Sequence, residues 1–255
     1  MVRYFINLDR SADRRKHIEE IFQTLGLSVN RVPAVDGRKL SAETLKNLRP
    51  DLKERHFWLK EMTPGEIGAY LSHLKTWRLF LETDEEWALI MEDDSLFREN
   101  AREFICDSSW IPEGIGLIQL TSKEIPGIDI CEKDIKSLDE KKARLLKVVE
   151  WSNLGALGYL INRQTAEHLI LLSDKVLGPV DDVLFLYASP LRQKVEAWGL
   201  SPAVIYYDDD LASDVGLEKK NNRTPKFANF SGYLERKILM FNHKVKCLFK
   251  VRDHR

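Results

Sequence analysis

The sequence predicts an α/β protein in which helices cover a mainly parallel central sheet. Three observations carry that expectation. Apolar runs of strand length, such as RYFINL (3–8) and WALIM (87–91), alternate with segments whose apolar residues recur at helical spacing. Several helical segments open on start signals. The chain of 255 residues, 44% hydrophobic and 31% charged, can bury a large core at ordinary soluble composition.

RYFINL reads as a buried strand, followed by a helix from about Ser11 to Leu25 that Gly26 can stop. Ile18, Ile21, Phe22 and Leu25 share one face of that helix. Arg10, Arg14, Arg15 and Lys16 crowd its first turn or lie just before it, where the helix dipole disfavours cations. Either they hold an anion such as phosphate together with the exposed helix N–H groups, or the turn is solvated with Asp9 and Asp13 as partners. SVNRVPAVDG (28–37) predicts a second strand ending in a turn. Thr63-Pro64-Gly65-Glu66 predicts a helix start, with Thr as N-cap, Pro where no amide bond is lost, and Glu completing a capping box. Ile67, Leu71, Leu74 and Leu81 form the apolar stripe of that helix, and His73 lies at its edge beside Glu66 and Trp77. A histidine so placed is most often structural.

GLIQL (116–120), ARLLKVVE (143–150), SNLGALGYLIN (152–162) and VEAWGLSPAVIYY (195–207) predict further strands. Residues 164–172 and 179–187 predict short helices, and residues 208–216 a loop. The acid- and lysine-rich stretch 122–142 reads as an excursion over the surface.

WALIM ends abruptly in Glu92, Asp93 and Asp94 before the chain turns apolar again at Leu96 and Phe97. In α/β sheets, ligands bind beyond the carboxyl ends of the strands. In extended chain Glu92 and Asp94 point the same way, while Asp93 points away, to cap or pair locally. Two carboxylates held that close resist joint ionisation. A Mg²⁺ or Mn²⁺ ion removes the conflict by taking hard oxygen ligands from both and the rest from water and a substrate phosphate. The competing reading is a strand-end turn with its acids in solvent, and Asp208-Asp209-Asp210 shows that such clusters also arise elsewhere in this chain.

The net charge of −1 hides an asymmetry. Residues 219–255 carry eleven Lys/Arg against Glu235 and Asp253, hence +9, which leaves −10 on residues 1–218. A basic tail on an acidic body suits a polyanionic partner or an anionic membrane face, or is a solvated terminus. Leu234, Ile238, Met240, Phe241, Val245, Leu248 and Phe249 interleave with those cations, as in an interfacial amphipathic helix. No aromatic-basic signature of a nucleic-acid module is present, and the acidic body argues against one. MVRYFINLDR lacks the apolar core of a signal peptide, and no window reaches the ~20 apolar residues of a membrane span. Cys106, Cys131 and Cys247 are widely separated, lack zinc-ligand spacing and fit a reducing cytosol.

Several segments together resemble glycosyltransferase family 25: INLDRSADRR (6–15), RVPAVDG (31–37), TPGEIGAYLSHLKTW (63–77), ALIMEDDSLF (88–97), LGALGYLINRQTAEHL (154–169), PVDD (179–182) and ASDVG (212–216). That family includes bacterial lipopolysaccharide and lipooligosaccharide galactosyltransferases and the procollagen galactosyltransferases. The resemblance implies a single Rossmann-like, GT-A type nucleotide-sugar domain over residues 1–218, with residues 219–255 as a basic helical tail. It implies inverting transfer of a sugar, usually galactose from UDP-galactose, with Mn²⁺ or Mg²⁺ held by Glu92 and Asp94. Asp181, with Asp182 as alternative, is then the base that deprotonates the acceptor. Asn7, Arg10, Arg15, Ser72, His73, Asp93, Ser213 and Asp214 become donor-site residues. Asn162 stands where a serine often begins the helix, and it caps equally well.

The chain ends in VRDHR rather than an endoplasmic-reticulum retention signal, which favours the bacterial surface-glycan branch. The expected acceptor is then a lipid-linked oligosaccharide, and the expected location is cytoplasmic, peripheral on the inner membrane. Two rival functions share these residues: a metal-dependent nucleotide-sugar hydrolase or nucleotidyltransferase, and a catalytically silent carbohydrate-binding protein.

Overall fold

Alternate side chains of the first strand, β1 (Val2–Asn7), point to opposite sides of a sheet, and a helical layer grows on each side. The computed structural model describes residues 1–49, 62–121, 135–148, 155–173, 176–186 and 189–207. Among these residues the main sheet has eight strands in the order β2 (Asn30–Pro33), β1, β3 (Trp87–Glu92), β8 (Gly158–Asn162), β5 (Leu117–Gln119), β9 (Ala197–Ser201), β7 (Ala143–Lys147) and β6 (Ile135–Leu138). β2, β1 and β3 are mutually parallel, and β9 is parallel to β5. β8 is antiparallel to both of its neighbours, and β7 to both of its own. Six strands therefore share one direction, and β8 and β7 oppose it.

Tyr4, Ile6, Ala88, Ile90 and Tyr159 face one layer, made by α3 (Pro64–Leu81), α5 (Arg163–Leu172) and α6 (Val180–Phe185). Phe5, Leu89, Met91 and Leu160 face the other, with α1 (Ala12–Leu25) and α4 (Arg102–Ile105). Phe5, Trp77 and Tyr159 are wholly buried, and truncating an aromatic of this kind to Ala costs about 3–5 kcal/mol.

Local chemistry explains the main helix boundaries. α1 stops at Gly26, whose φ of +66° no branched side chain adopts comfortably. α3 starts on a completed capping box: Thr63 N–H donates to Glu66 Oε2 at 2.8 Å, and Glu66 N–H donates to Thr63 Oγ1 at 3.1 Å. Asn162 caps α5 by accepting from Thr165 N–H at 2.9 Å. The loop after β2 is pressed onto the start of α3. A Cβ on Gly37 would lie 1.7 Å from the Pro64 carbonyl oxygen, and one on Gly68 2.6 Å from the Val35 oxygen.

The structure differs from the sequence expectation at several places. The single strand predicted over 195–207 is two, β9 and β10 (Ile205–Tyr207), because Pro202 has no N–H to continue a ladder. β10 leaves the main sheet and pairs antiparallel with β4 (Ser95–Phe97), so that Ile205 lies opposite Phe97. The surface excursion returns to the sheet at its end, since Ile135–Leu138 is the edge strand β6 paired with β7. The chain also forms an unpredicted short helix, α2 (Ala42–Leu48), capped by Ser41 accepting from Thr44 N–H at 3.1 Å. The boundary at 218/219, the basic tail, Asp208–Asp210, Ser213 and Asp214 lie outside the described residues.

Candidate functional site

A cleft opens at the carboxyl ends of β1 and β3, where Ile6 lies opposite Glu92. Glu92 continues the face of Ala88 and Ile90 and so points towards α3. Asp93 and Asp94 form a turn, because the chain must leave β3 to enter β4. The extended conformation expected to align Glu92 with Asp94 is therefore absent; the turn, not strand alternation, brings all three acids to the cleft. Asp93 pairs locally on the α1 side. Its Oδ2 accepts from Asn7 Nδ2 at 2.6 Å, and its Oδ1 meets Arg14 Nη1 at 3.3 Å. Burial pushes the Asp93 carboxyl up from its ordinary pKa, with Asn7 and Arg14 working in the opposite direction.

Asp94 has no comparable partner for Oδ1, which is buried without a hydrogen bond among the described residues. Burial first, then the charges of Glu92 and Asp93, raise its pKa to about 7, against a smaller opposing pull from Arg14. An orphaned carboxylate oxygen beside a second acid fits the requirements of a hard divalent cation. Among the described residues no group of three or more His, Cys, Asp or Glu is arranged to hold a metal. Glu92 and Asp94 would thus supply two ligands and leave the others to water and substrate oxygens, which suits Mg²⁺ or Mn²⁺.

Guanidinium groups occupy the same cleft. Arg10 and Arg38 both engage Asp36, Arg10 in an ion pair and Arg38 through Nε at 3.4 Å. Arg14 bridges to the acids. Arg15, expected as a donor contact, instead pairs with Glu19 one turn along the exposed side of α1 at 2.8 Å and does not line the cleft. Asn7 is buried at the end of β1, where its carboxamide also donates to the Ser11 carbonyl at 3.0 Å and accepts from Arg31 Nε at 2.8 Å. Ser72 lines the cleft, but its hydroxyl is engaged in holding the loop: it donates to the Gly68 carbonyl at 2.7 Å and accepts from Val35 N–H at 2.8 Å. His73, 1% exposed, shares a hydrogen bond between Nδ1 and the Tyr159 hydroxyl at 2.8 Å and leaves Nε2 3.6 Å from Glu92 Oε1.

Asp181 and Asp182 begin α6 and lie outside this lining. Asp181 is half-buried, and Asp182 is buried. Their helix packs beneath the cleft wall, with the Phe185 ring edge-on to Tyr159 at 6.2 Å. Asp36, Arg38 and Tyr159 carried no site expectation from sequence. VDGRK offered one usable signal, an aspartate poised to cap the following turn; Tyr159, in an apolar strand, offered none.

This cleft, carrying acids and arginines together, lies beyond the carboxyl ends of parallel strands, where ligands bind in α/β folds. Residues 1–184 match the sequence family described as glycosyltransferase family 25 (LPS biosynthesis protein), and the chain belongs to that family. A glycosyltransferase 25 family member of Aedes aegypti is 28% identical over 91% of this chain and 39% of its own length. Lipooligosaccharide biosynthesis protein lic2B of Haemophilus influenzae is 27% identical over 72% of this chain and 69% of its own. Procollagen galactosyltransferase 2 of Homo sapiens is 28% identical over 71% of this chain and 29% of its own. The chain thus spans well under half the length of its insect and human relatives. Galactosyltransferase LgtC, solved with donor and acceptor sugar analogues, superposes with a TM-score of 0.38 and 12% identity, covering 95% of this chain and 96% of that one. A superposition that loose has no bearing on function.

Proposed function

We propose that the chain is an inverting glycosyltransferase that transfers a hexose, foremost galactose from UDP-galactose, to a lipooligosaccharide or lipopolysaccharide acceptor. The observation that supports this best is the two-signed lining of the cleft. Glu92 and Asp94 suit a cation, while Arg10, Arg14 and Arg38 suit phosphate oxygens, and a metal–diphosphate ligand would satisfy both. Family relatives named for lipooligosaccharide biosynthesis and galactosyl transfer support the same substrate class.

A divalent ion held by Glu92 and Asp94 would neutralise the charge that develops on the departing diphosphate. Asn7 holds Asp93 in place, and Arg14 bridges α1 to that carboxylate, so the cation site and the phosphate-binding arginines keep a common geometry. Asp181 takes the proton of the acceptor hydroxyl. The acceptor oxygen forms its bond to the anomeric carbon as the bond to the phosphate oxygen breaks on the opposite face, which yields UDP and an inverted linkage. Asp181 is the more accessible of the two acids on α6, since Asp182 is buried.

Residues 1–218 form the catalytic domain in this reading, and residues 219–255 rest on the anionic cytoplasmic face of the inner membrane. Among the described residues no helix is long and apolar enough to cross a membrane. Deleting residues 220–255 is expected to abolish membrane association and spare activity on a soluble acceptor. Unchanged partitioning of the shortened chain into the membrane fraction defeats the membrane assignment.

The test of function is a UDP-sugar panel with Mn²⁺ and EDTA arms, scored for UDP release with and without acceptor glycan. Galactose-selective, acceptor-dependent release that EDTA suppresses is the expected result. Free galactose or sugar phosphate formed without acceptor identifies a hydrolase and overturns the proposal. An absence of manganese-dependent donor binding points instead to a silent binding protein.

A further inference from the structure

His73 Nε2 is a buried ring nitrogen without a hydrogen-bond partner among the described residues, and it lies at the wall of the acidic cleft. Its surroundings determine where its proton sits. The Trp77 indole can only donate, and Nε1 does so to the Tyr159 hydroxyl oxygen at 2.9 Å. Tyr159 is wholly buried, and its own hydroxyl proton has one described acceptor, His73 Nδ1 at 2.8 Å. If Nδ1 carried the proton instead, the tyrosine proton would be stranded in the core and a bare Nε2 lone pair would face Glu92. The arrangement that pairs both the Tyr159 hydroxyl and Nδ1 places Nδ1 as acceptor and the ring proton on Nε2, with Glu92 Oε1 3.6 Å away. The Tyr159 ring lies nearly parallel to the imidazole, 5.7 Å between centroids at 22°.

We propose that His73 is a positioning residue for the cation site: its Nε2–H holds one oxygen of Glu92, so that the other faces the bound ion. This rests on the proposed metal-dependent function and adds a chain of control, Trp77 to Tyr159 to His73 to Glu92, that reaches the site from α3 and β8. Glu92 is 38% exposed and needs to move only roughly half an ångström to bring the contact into ordinary hydrogen-bond range. A donor behind a carboxylate ligand fixes its orientation and selects its coordinating lone pair, and loss of such a partner weakens metal binding ~10–100-fold.

Two measurements on the full chain test this. Two-bond ¹H–¹⁵N spectra are expected to show the His73 proton on Nε2, with that resonance shifting when Mg²⁺ and UDP are added. A proton on Nδ1 overturns the proposal, as does a resonance indifferent to Mg²⁺ that demonstrably binds. Mn²⁺ titration by electron paramagnetic resonance is expected to show at least tenfold weaker binding in His73→Phe, and no further loss when His73→Phe is added to Glu92→Gln. Unchanged affinity in a folded His73→Phe overturns the inference alone, whereas absence of Mn²⁺ binding by the native chain overturns both it and the proposed function. Should His73→Phe fail to fold, Tyr159→Phe, which removes the donor that anchors Nδ1, is expected to weaken Mn²⁺ binding in the same sense, and an affinity equal to the native chain's counts against the proposal.

Discussion

Asn7 Nδ2 stands 2.6 Å from Asp93 Oδ2, which ties the carboxyl end of β1 to the turn that follows β3. The same carboxamide binds the Ser11 carbonyl ahead of α1 and accepts from Arg31 on β2. One buried side chain therefore registers three strands and a helix start around the acidic turn. Asn7→Asp sets a second carboxylate against Asp93 and is expected to destabilise the protein by about 2 kcal/mol, a fall of roughly 4–8 °C in Tm. Calorimetry checks the midpoint, and a midpoint within a degree of the native one contradicts the role assigned to Asn7.

Stability without metal should depend on pH with a definite sign. Asp94 in the folded protein titrates near 7, above its ordinary value, and Asp93 is displaced in the same direction. A carboxyl whose pKa is higher folded than unfolded keeps its proton in the native state after the unfolded state has lost it. Its contribution is fully present below the unfolded value of about 4 and disappears as pH rises through 7. In EDTA the midpoint is therefore expected to fall between pH 5 and pH 8, with a shallower slope in Asp94→Asn. A midpoint that rises across that range refutes the assignment. Cation binding competes with the same proton, so Mn²⁺ affinity should increase with pH and level off above 7.

Gly37 tests the loop that carries Asp36 into the cleft. Alanine there places Cβ 1.7 Å from the Pro64 carbonyl oxygen, a backbone atom that cannot step aside without moving the start of α3. Gly37→Ala should cost about 1–3 kcal/mol, in the range of overpacking, and weaken UDP binding at least tenfold through displacement of Asp36 and its arginine partners. Gly26→Ala, at a remote helix end, should lower stability and leave UDP affinity intact. Isothermal titration of both variants separates these outcomes.

The two acids of α6 should divide by exposure. Asp181→Asn is expected to lower kcat by roughly 10²–10⁴ with donor affinity and Tm preserved, as loss of a general base does. Asp182, buried, should respond mainly in stability. A kcat loss confined to a folded Asp182→Asn would transfer the base to that residue.

The parts of the fold that were legible from sequence rest on local chemistry. The Thr63–Glu66 box, Gly26 as helix stop and Asn162 as cap each involve residues within a few positions of one another, and the structure forms each of them. WALIM announced a central strand because nothing in it interrupts burial. The readings that changed depend on partners far along the chain. The chain turns at Asp93–Asp94 to enter β4, which pairs with β10, and nothing near residue 95 signals a partner at residue 205. Arg14 and Arg15 are neighbours in sequence, yet a helix turns successive residues by about 100°, which directs one to Asp93 and the other to Glu19. His73 was legible as an edge residue of its stripe; the direction of its proton depends on Tyr159 across the layer.

The pairing of β4 with β10 also has a consequence for biosynthesis. Residues 95–97 hang directly from the acidic turn, and the strand that backs them is not made until residues 205–207. A polypeptide still short of Ile205 on the ribosome carries its acids on a strand end without a brace. Completion of the acidic turn thus waits for nearly the whole of the described chain to emerge, and products of premature termination would carry Glu92, Asp93 and Asp94 without the strand that backs them.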